Sequence, residues 1–326
     1  MGVIIKSFGH FIPEKKVTNA ELAKRFNITE KWILERTGIE ERRYFKDGTT
    51  SDMIVNAALQ CLSHADISPK DIDCVIVATM TPDYYCPSTA AIVHQKLNTE
   101  NAWGFDIMAA CSGYIYGLQL GRSLINSNTY KNILVCGADK MSSCIDPNDR
   151  KTVLVLADGA GVSLLQYSET HNEIIDVLCK LESTHAMDVT IENGGSSTPL
   201  TKANIKEGRH YLRFNSKTVF DNGIRLMENA IKDILATSKT DFNSIDFIVP
   251  HQANKRMVEI LAHRFSIPIQ KFIINIEHLG NTSAGTIPIA VSEALENGKL
   301  KGNEKLLLAS VGAGFTYAAA LIQLNK

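Results

Sequence analysis

The chain has 326 residues, 44% of them apolar, with 34 basic against 35 acidic side chains and a formal charge of -1. Such a length suits about two domains with a large packed core, and near-neutral charge without long runs of either sign gives no electrostatic case for nucleic acid or a membrane surface as partner. The opening MGVIIKSFGHFIPEKK and the lack of any later run of about 18 apolar residues argue against a signal peptide or a transmembrane helix, while seven cysteines without a CxxC pair predict free thiols of a reducing cytoplasm, with no disulfide frame and no metal site.

In chain order, residues 3–9 (VIIKSFG) read as a strand, followed by two short helices, Asn19 to Phe26 and Thr29 to Arg36, the second begun by a Thr29 cap. Trp32 and Arg36 are four apart and share a helix face, beside Arg42 and Arg43. A flat indole next to a guanidinium offers a seat for a nucleotide base, although an arginine stem covering a surface tryptophan would read the same way. Ser51 to Ala65 is an amphipathic helix, and CVIVAT at 74–79 is an apolar run of strand length, suited to a parallel or mixed sheet covered on both faces. Asp106 to Ser123 turns through Cys111-Ser112-Gly113 into a helix whose Gly113, Gly117 and Gly121 form one ridge. A thiol in the first turn of that helix meets the positive end of its dipole, which favours thiolate. Asn132 to Gly137 is a further apolar strand, CIDPNDR is a polar loop carrying Arg150, and DGAGVSLL at 158–165 predicts a glycine turn and then a strand. The weakly periodic, glycine-rich stretch 182–209 reads as a linker, dividing the chain into halves of 1–181 and 182–326.

The second half echoes the first. NAALQCLSHADISPKDID at 56–73 aligns without a gap on NAIKDILATSKTDFNSID at 229–246, with an apolar strand after each copy, and Gly159-Ala160-Gly161 pairs with Gly312-Ala313-Gly314. Order and spacing predict a duplicated α/β unit. The echo places His251, in VPHQAN, at the end of a buried strand, where open α/β sheets keep ligand sites. HLGNTSAGT at 278–286 turns through small residues into a helix, with Asn281 available as a side-chain donor or as an ordinary cap. The turn Gly312-Ala313-Gly314-Phe315 after LLLASV can expose backbone N–H groups to an oxyanion. A thiol, a histidine and an asparagine suit thioester acyl transfer, and equally a cysteine hydrolase.

AACSG around Cys111, VPHQANKRM around His251, HLGNTSAGTIP around Asn281, WILERTGIEERR at 32–43, DPNDR at 146–150 and DGAG at 158–161 resemble the motifs of β-ketoacyl-[acyl-carrier-protein] synthase III, a family of thiolase-fold condensing enzymes. The resemblance implies two pseudo-symmetric halves, each with a five-stranded sheet, in an α-β-α-β-α sandwich, and a homodimer. It makes Cys111 the nucleophile that accepts an acyl group from acyl-CoA, with the oxyanion held by the backbone N–H of Cys111 and that of Ala313 or Gly314. Malonyl-acyl-carrier protein would then bind, with His251 and Asn281 donating to its thioester carbonyl as CO2 leaves, the histidine neutral and protonated on the facing nitrogen. No metal or redox cofactor is implied. Trp32 and Arg150 would flank the CoA adenine, with Arg36 and Asn254 in the same site, and Gln252, Ala253, Asn254, Lys255 and Arg256 would meet the carrier protein. Cys86 and Phe220 would line the acyl pocket. The family motif GGGFTWG stands here as GAGFTYA, which touches the second oxyanion donor, and a cysteine at position 86 where a bulkier residue is common implies room for acyl groups larger than acetyl. These departures at tunnel-lining positions also fit a specialised condensing enzyme of secondary metabolism.

Overall fold

The computed structural model of the chain describes residues 2–325. Its first sheet holds β1 (Gly2–Phe11), β2 (Cys74–Ala78), β3 (Trp103–Ile107), β4 (Asn132–Lys140) and β5 (Asp158–Ser168), in the order β1-β5-β4-β2-β3. The second holds β6 (Ile174–Leu181), β7 (Phe247–Pro250), β8 (Lys305–Gly312) and β9 (Thr316–Gln323), in the order β7-β8-β9-β6. In the first, β2 runs parallel to β3 and β4, while β4 with β5 and β5 with β1 are antiparallel. In the second, β7 runs parallel to β8, and β8 with β9 and β9 with β6 are antiparallel. Counted from β1 and from β6, the two sheets share order and direction, so the repeat seen in the residues extends to the topology.

Two expectations change here. The fifth strand of the second sheet is reduced to an isolated bridge between Ile248 and Phe272. A 3-10 turn at Ile269–Lys271 precedes it, and the amides of Asn275 and Ile276 beyond it bond to Gln252 Oε1 instead of a neighbouring strand. Strand β6 pairs within the second sheet, so the change of sheet falls at 169–173 and not after residue 181.

The helices of eight residues or more are α1 (Asn19–Phe26), α2 (Glu30–Thr37), α3 (Thr50–Ala65), α4 (Thr89–Leu97), α5 (Gly113–Asn126), α6 (Ser216–Ser238), α7 (Lys255–Arg264) and α8 (Thr286–Glu296). Thr29 caps α2 as expected, accepting from Trp32 N at 3.1 Å. Helices α5 and α8 lie between the sheets, in a core that joins Ile115 and Leu118 to Ile287 and Val291, and Ile76 and Val135 to Val249 and Leu308. Helices α3 and α4 cover the other face of the first sheet, and α6 and α7 that of the second, giving the α-β-α-β-α sandwich. All five residues of β2 are buried, because helices cover both faces of that strand.

The glycine ridge of α5 is a packing device: a Cβ on Gly117 would stand 2.7 Å from Val135 Cγ1, and one on Gly121 2.7 Å from Leu165 Cδ1. The DGAG segment is no turn. Gly159 and Gly161 lie inside β5, where a Cβ on Gly161 would meet the Ile289 amide nitrogen at 2.6 Å, so glycine there admits α8. Among the described residues no helix is long and apolar enough to cross a membrane.

Candidate active site

Each half carries the same turn into its central helix. After β3, Ala110 takes φ 45°, a 3-10 turn spans Ala110–Ser112, and α5 begins at Gly113. In the second half Ser283 takes φ 53°, a 3-10 turn spans Ser283–Gly285, and α8 begins at Thr286. Non-glycine residues rarely hold a positive φ, so its recurrence at the same step marks equivalent, strained elbows. At the middle of the turn the first half has Cys111 and the second Ala284.

The two elbows meet. Cys111 Sγ lies 3.4 Å from Ser283 Oγ. The Ser283 N–H donates to Asn281 Oδ1 at 2.8 Å, which commits the amide oxygen and leaves Nδ2 as the donor. Thus Asn281 makes a local turn bond and keeps a donor free; the two readings of this residue are compatible. Its backbone is held by Val155 O at 2.9 Å and by Ala157 N at 2.8 Å. The Ser283 carbonyl accepts from Thr286 Oγ1 at 3.0 Å, and that hydroxyl lies 2.8 Å from His251 Nδ1. Ser283 therefore connects to all three expected catalytic residues. It stands inside the GNTSAGT motif, and only the approach of the two halves reveals its position.

His251 follows β7, its N–H bonded to Ala309 O at 2.7 Å, and is 2% exposed. Burial pushes its pKa down to about 3, so the ring is neutral at ordinary pH. Burial pushes the Cys111 thiol up to about 12; the Ser283 hydroxyl opposes the rise and Asp139 adds to it. Loss of hydration thus works against the thiolate that the helix start was expected to favour. Asp139, buried at the end of β4, accepts from Thr79 Oγ1, Met80 N and Thr81 N on Oδ1 and from Ala284 N on Oδ2, tying the second elbow to the first sheet.

The glycine turn after β8 closes the other side. Thr316 Oγ1 donates to Ala109 O at 2.8 Å and Ser112 Oγ to Thr316 O at 3.2 Å, which fastens this turn to the cysteine elbow. Gly314 has φ 126°, a conformation that demands glycine, whereas Ala313 is not among the residues of positive φ. The alanine of GAGFTYA therefore fits its place without strain.

At the surface, Trp32 lies between two guanidinium groups, Arg36 at 5.1 Å and Arg150 at 5.6 Å from its ring centroid. Arg150 opens a short helical turn, Arg150–Val153, within the expected loop. Asn254 Nδ2 donates to Arg36 O at 2.9 Å, so the four residues expected at a CoA site stand together. Exposed Arg256 sits 5.9 Å from the Phe220 ring, and Lys255 pairs with Glu277 at 3.1 Å. Gln252 corrects the expected carrier contact: it is fully buried, with Oε1 accepting from Asn275 and Ile276 and Nε2 donating to Ile273 O, so it cannot touch a macromolecule. Cys86 corrects the expected pocket, since it is exposed in the loop between β2 and α4, while Phe220 packs on α6 beneath Arg256. Among the described residues no cluster of three histidine, cysteine or carboxylate side chains could hold a metal ion.

Comparison with known proteins agrees with this geometry. The family model described as 3-oxoacyl-[acyl-carrier-protein (ACP)] synthase III matches residues 105–183, and that described as its C-terminal part matches residues 235–324. The chain is 40% identical to the β-ketoacyl-[acyl-carrier-protein] synthase III of Koribacter versatilis, over 98% of this chain and 97% of that protein. It is 39% identical to the protein of the same name from Clostridium perfringens, over 97% and 98%. The crystal structure of 3-oxoacyl-[acyl-carrier-protein] synthase III from Aquifex aeolicus superposes with a TM-score of 0.90 at 35% identity, over 99% of this chain and all of that one. With a cysteine elbow in one half, histidine and asparagine in the other, and this likeness along almost its whole length, the chain belongs to the β-ketoacyl-[acyl-carrier-protein] synthase III family of thiolase-fold condensing acyltransferases.

Proposed function

We propose that the protein condenses an acyl group from acyl-CoA with malonyl-acyl-carrier protein to give a 3-oxoacyl-carrier protein, the step that initiates fatty-acid synthesis. The observation that carries this reading is the meeting of the two elbows, Cys111 Sγ 3.4 Å from Ser283 Oγ, with Asn281 and His251 linked through the same serine. Cys111 sulfur attacks the acyl-CoA carbonyl, and coenzyme A leaves with the thiol's proton. The N–H groups of Cys111 and of Ala313 or Gly314 face the transient oxyanion. After coenzyme A is replaced by malonyl-carrier protein, Nδ2 of Asn281 and the imidazole of His251 hold the thioester oxygen while the C–C bond to the carboxylate breaks. The enolate carbon then attacks the acyl carbon, the C–S bond to Cys111 breaks, and the released thiolate takes a proton from water to restore the thiol.

The hydrolase reading loses its support: His251 Nδ1 faces the Thr286 hydroxyl, and Asn281 Oδ1 is held by the Ser283 N–H, so the amide does not orient the imidazole. Names at about 40% identity favour fatty-acid initiation over a specialised pathway. Trp32, Arg36, Arg150 and Asn254 are the proposed seat of the CoA adenine and phosphates, and exposed Arg256 with Ala253, Asn254 and Lys255 the contact for an acidic carrier surface.

The protein works as a cytoplasmic homodimer in this reading. Supporting it are the free edge of β3, the exposed apolar residues Tyr85, Trp103 and Met108, and the free thiols of Cys74, Cys86, Cys111, Cys136, Cys144 and Cys179. Cys86 would then bound the acyl pocket only across the dimer interface. Light scattering reads the dimer directly, and a monomer overturns it.

The deciding experiment is intact-mass analysis after exposure to acetyl-, isobutyryl-, hexanoyl- and octanoyl-CoA, beside Cys111→Ala, followed by malonyl-carrier protein. An acyl adduct that needs Cys111 and disappears into a 3-oxoacyl product supports the assignment. No Cys111-dependent adduct with any donor defeats it.

A further inference from the structure

Three contacts define the proton inventory around His251. Its Nδ1 lies 2.8 Å from Thr286 Oγ1. The same hydroxyl lies 3.0 Å from the Ser283 carbonyl, an acceptor only. That carbonyl already receives the backbone N–H of Thr286.

A hydroxyl has one proton to give. Directed at the Ser283 carbonyl, it leaves Oγ1 as an acceptor, so His251 must carry its proton on Nδ1 and present a bare Nε2. Turned toward Nδ1, it leaves the carbonyl with its backbone partner and requires the proton on Nε2. The first arrangement satisfies one more hydrogen bond. Thr286 and His251 are 3% and 2% exposed, so water does not substitute freely for either partner. Burial keeps the resting imidazole neutral, so the variable at rest is which nitrogen holds its single proton.

We propose that the Thr286 hydroxyl is a positioning group that sets the tautomer of His251, holding Nδ1–H in the free enzyme and permitting Nε2–H in the acylated enzyme. The proposal deepens, and rests on, the condensing reaction above. The two half-reactions ask opposite things of Nε2. In acyl loading, bare Nε2 takes the proton as the Cys111 S–H bond breaks, and returns it to the coenzyme A sulfur as the C–S bond of the thioester breaks, so the ring ends neutral. In decarboxylation, Nε2–H must donate to the developing enolate oxygen. After coenzyme A leaves and before malonyl-carrier protein enters, the emptied site must admit the solvent that the resting contacts exclude: water gives Nε2 a proton and takes the one on Nδ1, and the hydroxyl turns to Nδ1. No net proton is consumed. A histidine that kept the facing-nitrogen proton of the decarboxylation step during loading as well would lack an acceptor for the thiol proton.

The test is nitrogen NMR of protein labelled with 15N-histidine, the His251 signals being identified by their loss in His251→Asn. The expected result for the free enzyme is a protonated, pyrrole-type Nδ1 and a bare, pyridine-type Nε2, with the pattern reversed after acylation of Cys111. Thr286→Val, which keeps the shape and removes the hydroxyl, should lose that preference and slow malonyl-carrier-protein decarboxylation about tenfold or more, while Thr286→Ser should stay within about threefold of the parent. Nε2–H in the free parent enzyme, or parental tautomers in folded Thr286→Val, overturns the proposal. Should no Cys111 adduct form while the tautomer still follows Thr286, the condensing reading fails and the tautomer assignment stands.

Discussion

The Ser283 hydroxyl reaches from the second half to within 3.4 Å of Cys111 Sγ in the first. Burial holds the thiol protonated, and this hydroxyl is placed to donate to the sulfur once it becomes anionic. Removing it in Ser283→Ala should raise the thiol pKa further, by about one unit. Below the pKa the thiolate fraction falls tenfold per unit of rise, so alkylation by iodoacetamide at a fixed pH should slow about tenfold. In the parent enzyme the alkylation rate should climb through the alkaline range without a plateau near neutrality. Identical profiles for parent and variant would remove Ser283 from the site.

Asn281→Asp keeps an acceptor for the Ser283 N–H and replaces the Nδ2 donor by a second oxygen. The local turn should survive and the enolate should meet an acceptor where it needs a donor. Malonyl-carrier-protein decarboxylation should drop about 100-fold or more with the acyl adduct on Cys111 still forming. Equal losses in both half-reactions would show that the asparagine only shapes the elbow.

The Trp32 ring packs at one side on the Leu22 and Ile33 cluster and has the guanidinium groups of Arg36 and Arg150 beside it. A base stacking there replaces one cationic contact by another aromatic surface. Trp32→Ala should raise KM for acyl-CoA about tenfold and leave kcat within about twofold. A fall in kcat at unchanged KM would place the nucleotide elsewhere.

Arg42 is fully buried without a carboxylate. It donates to Asn19 Oδ1 at 2.7 Å and to Leu154 O at 2.6 Å, and burial lowers its pKa to about 10. Leu154 adjoins Val155, whose carbonyl holds the Asn281 N–H. Arg42→Met should destabilise the fold by about 3 kcal/mol in denaturant titration, because two buried acceptors lose their donors. If the remaining folded enzyme keeps its kcat, the arginine serves stability alone.

What was readable in the residues was mostly local or motif-borne. Thr29 capped α2 as expected, and the run CVIVA formed a buried central strand, because both are decided within a few residues. Cys111, His251 and Asn281 were legible as chemistry-bearing types in small-residue settings. The errors share another cause. Gly159 and Gly161 were assigned to a turn, yet their small size serves α8, 120 or more residues later in the chain. Gln252 looked like a surface residue, yet three backbone groups from 273–276 satisfy it in the interior. Ser283 and Thr286 gain their roles only where the elbows meet, a long-range contact that no spacing within either motif expresses.

The paired elbows also bear on stoichiometry. Had the ancestral unit remained a free half-chain, two identical copies would have offered two thiols or none to one cleft. With both copies in one chain, the second elbow has the same backbone turn with Ala284 at its centre. Every molecule thus brings one elbow cysteine and one pair of donors together in fixed ratio, at any protein concentration. No second sulfur sits at that elbow to divert the acyl group or to oxidise against Cys111.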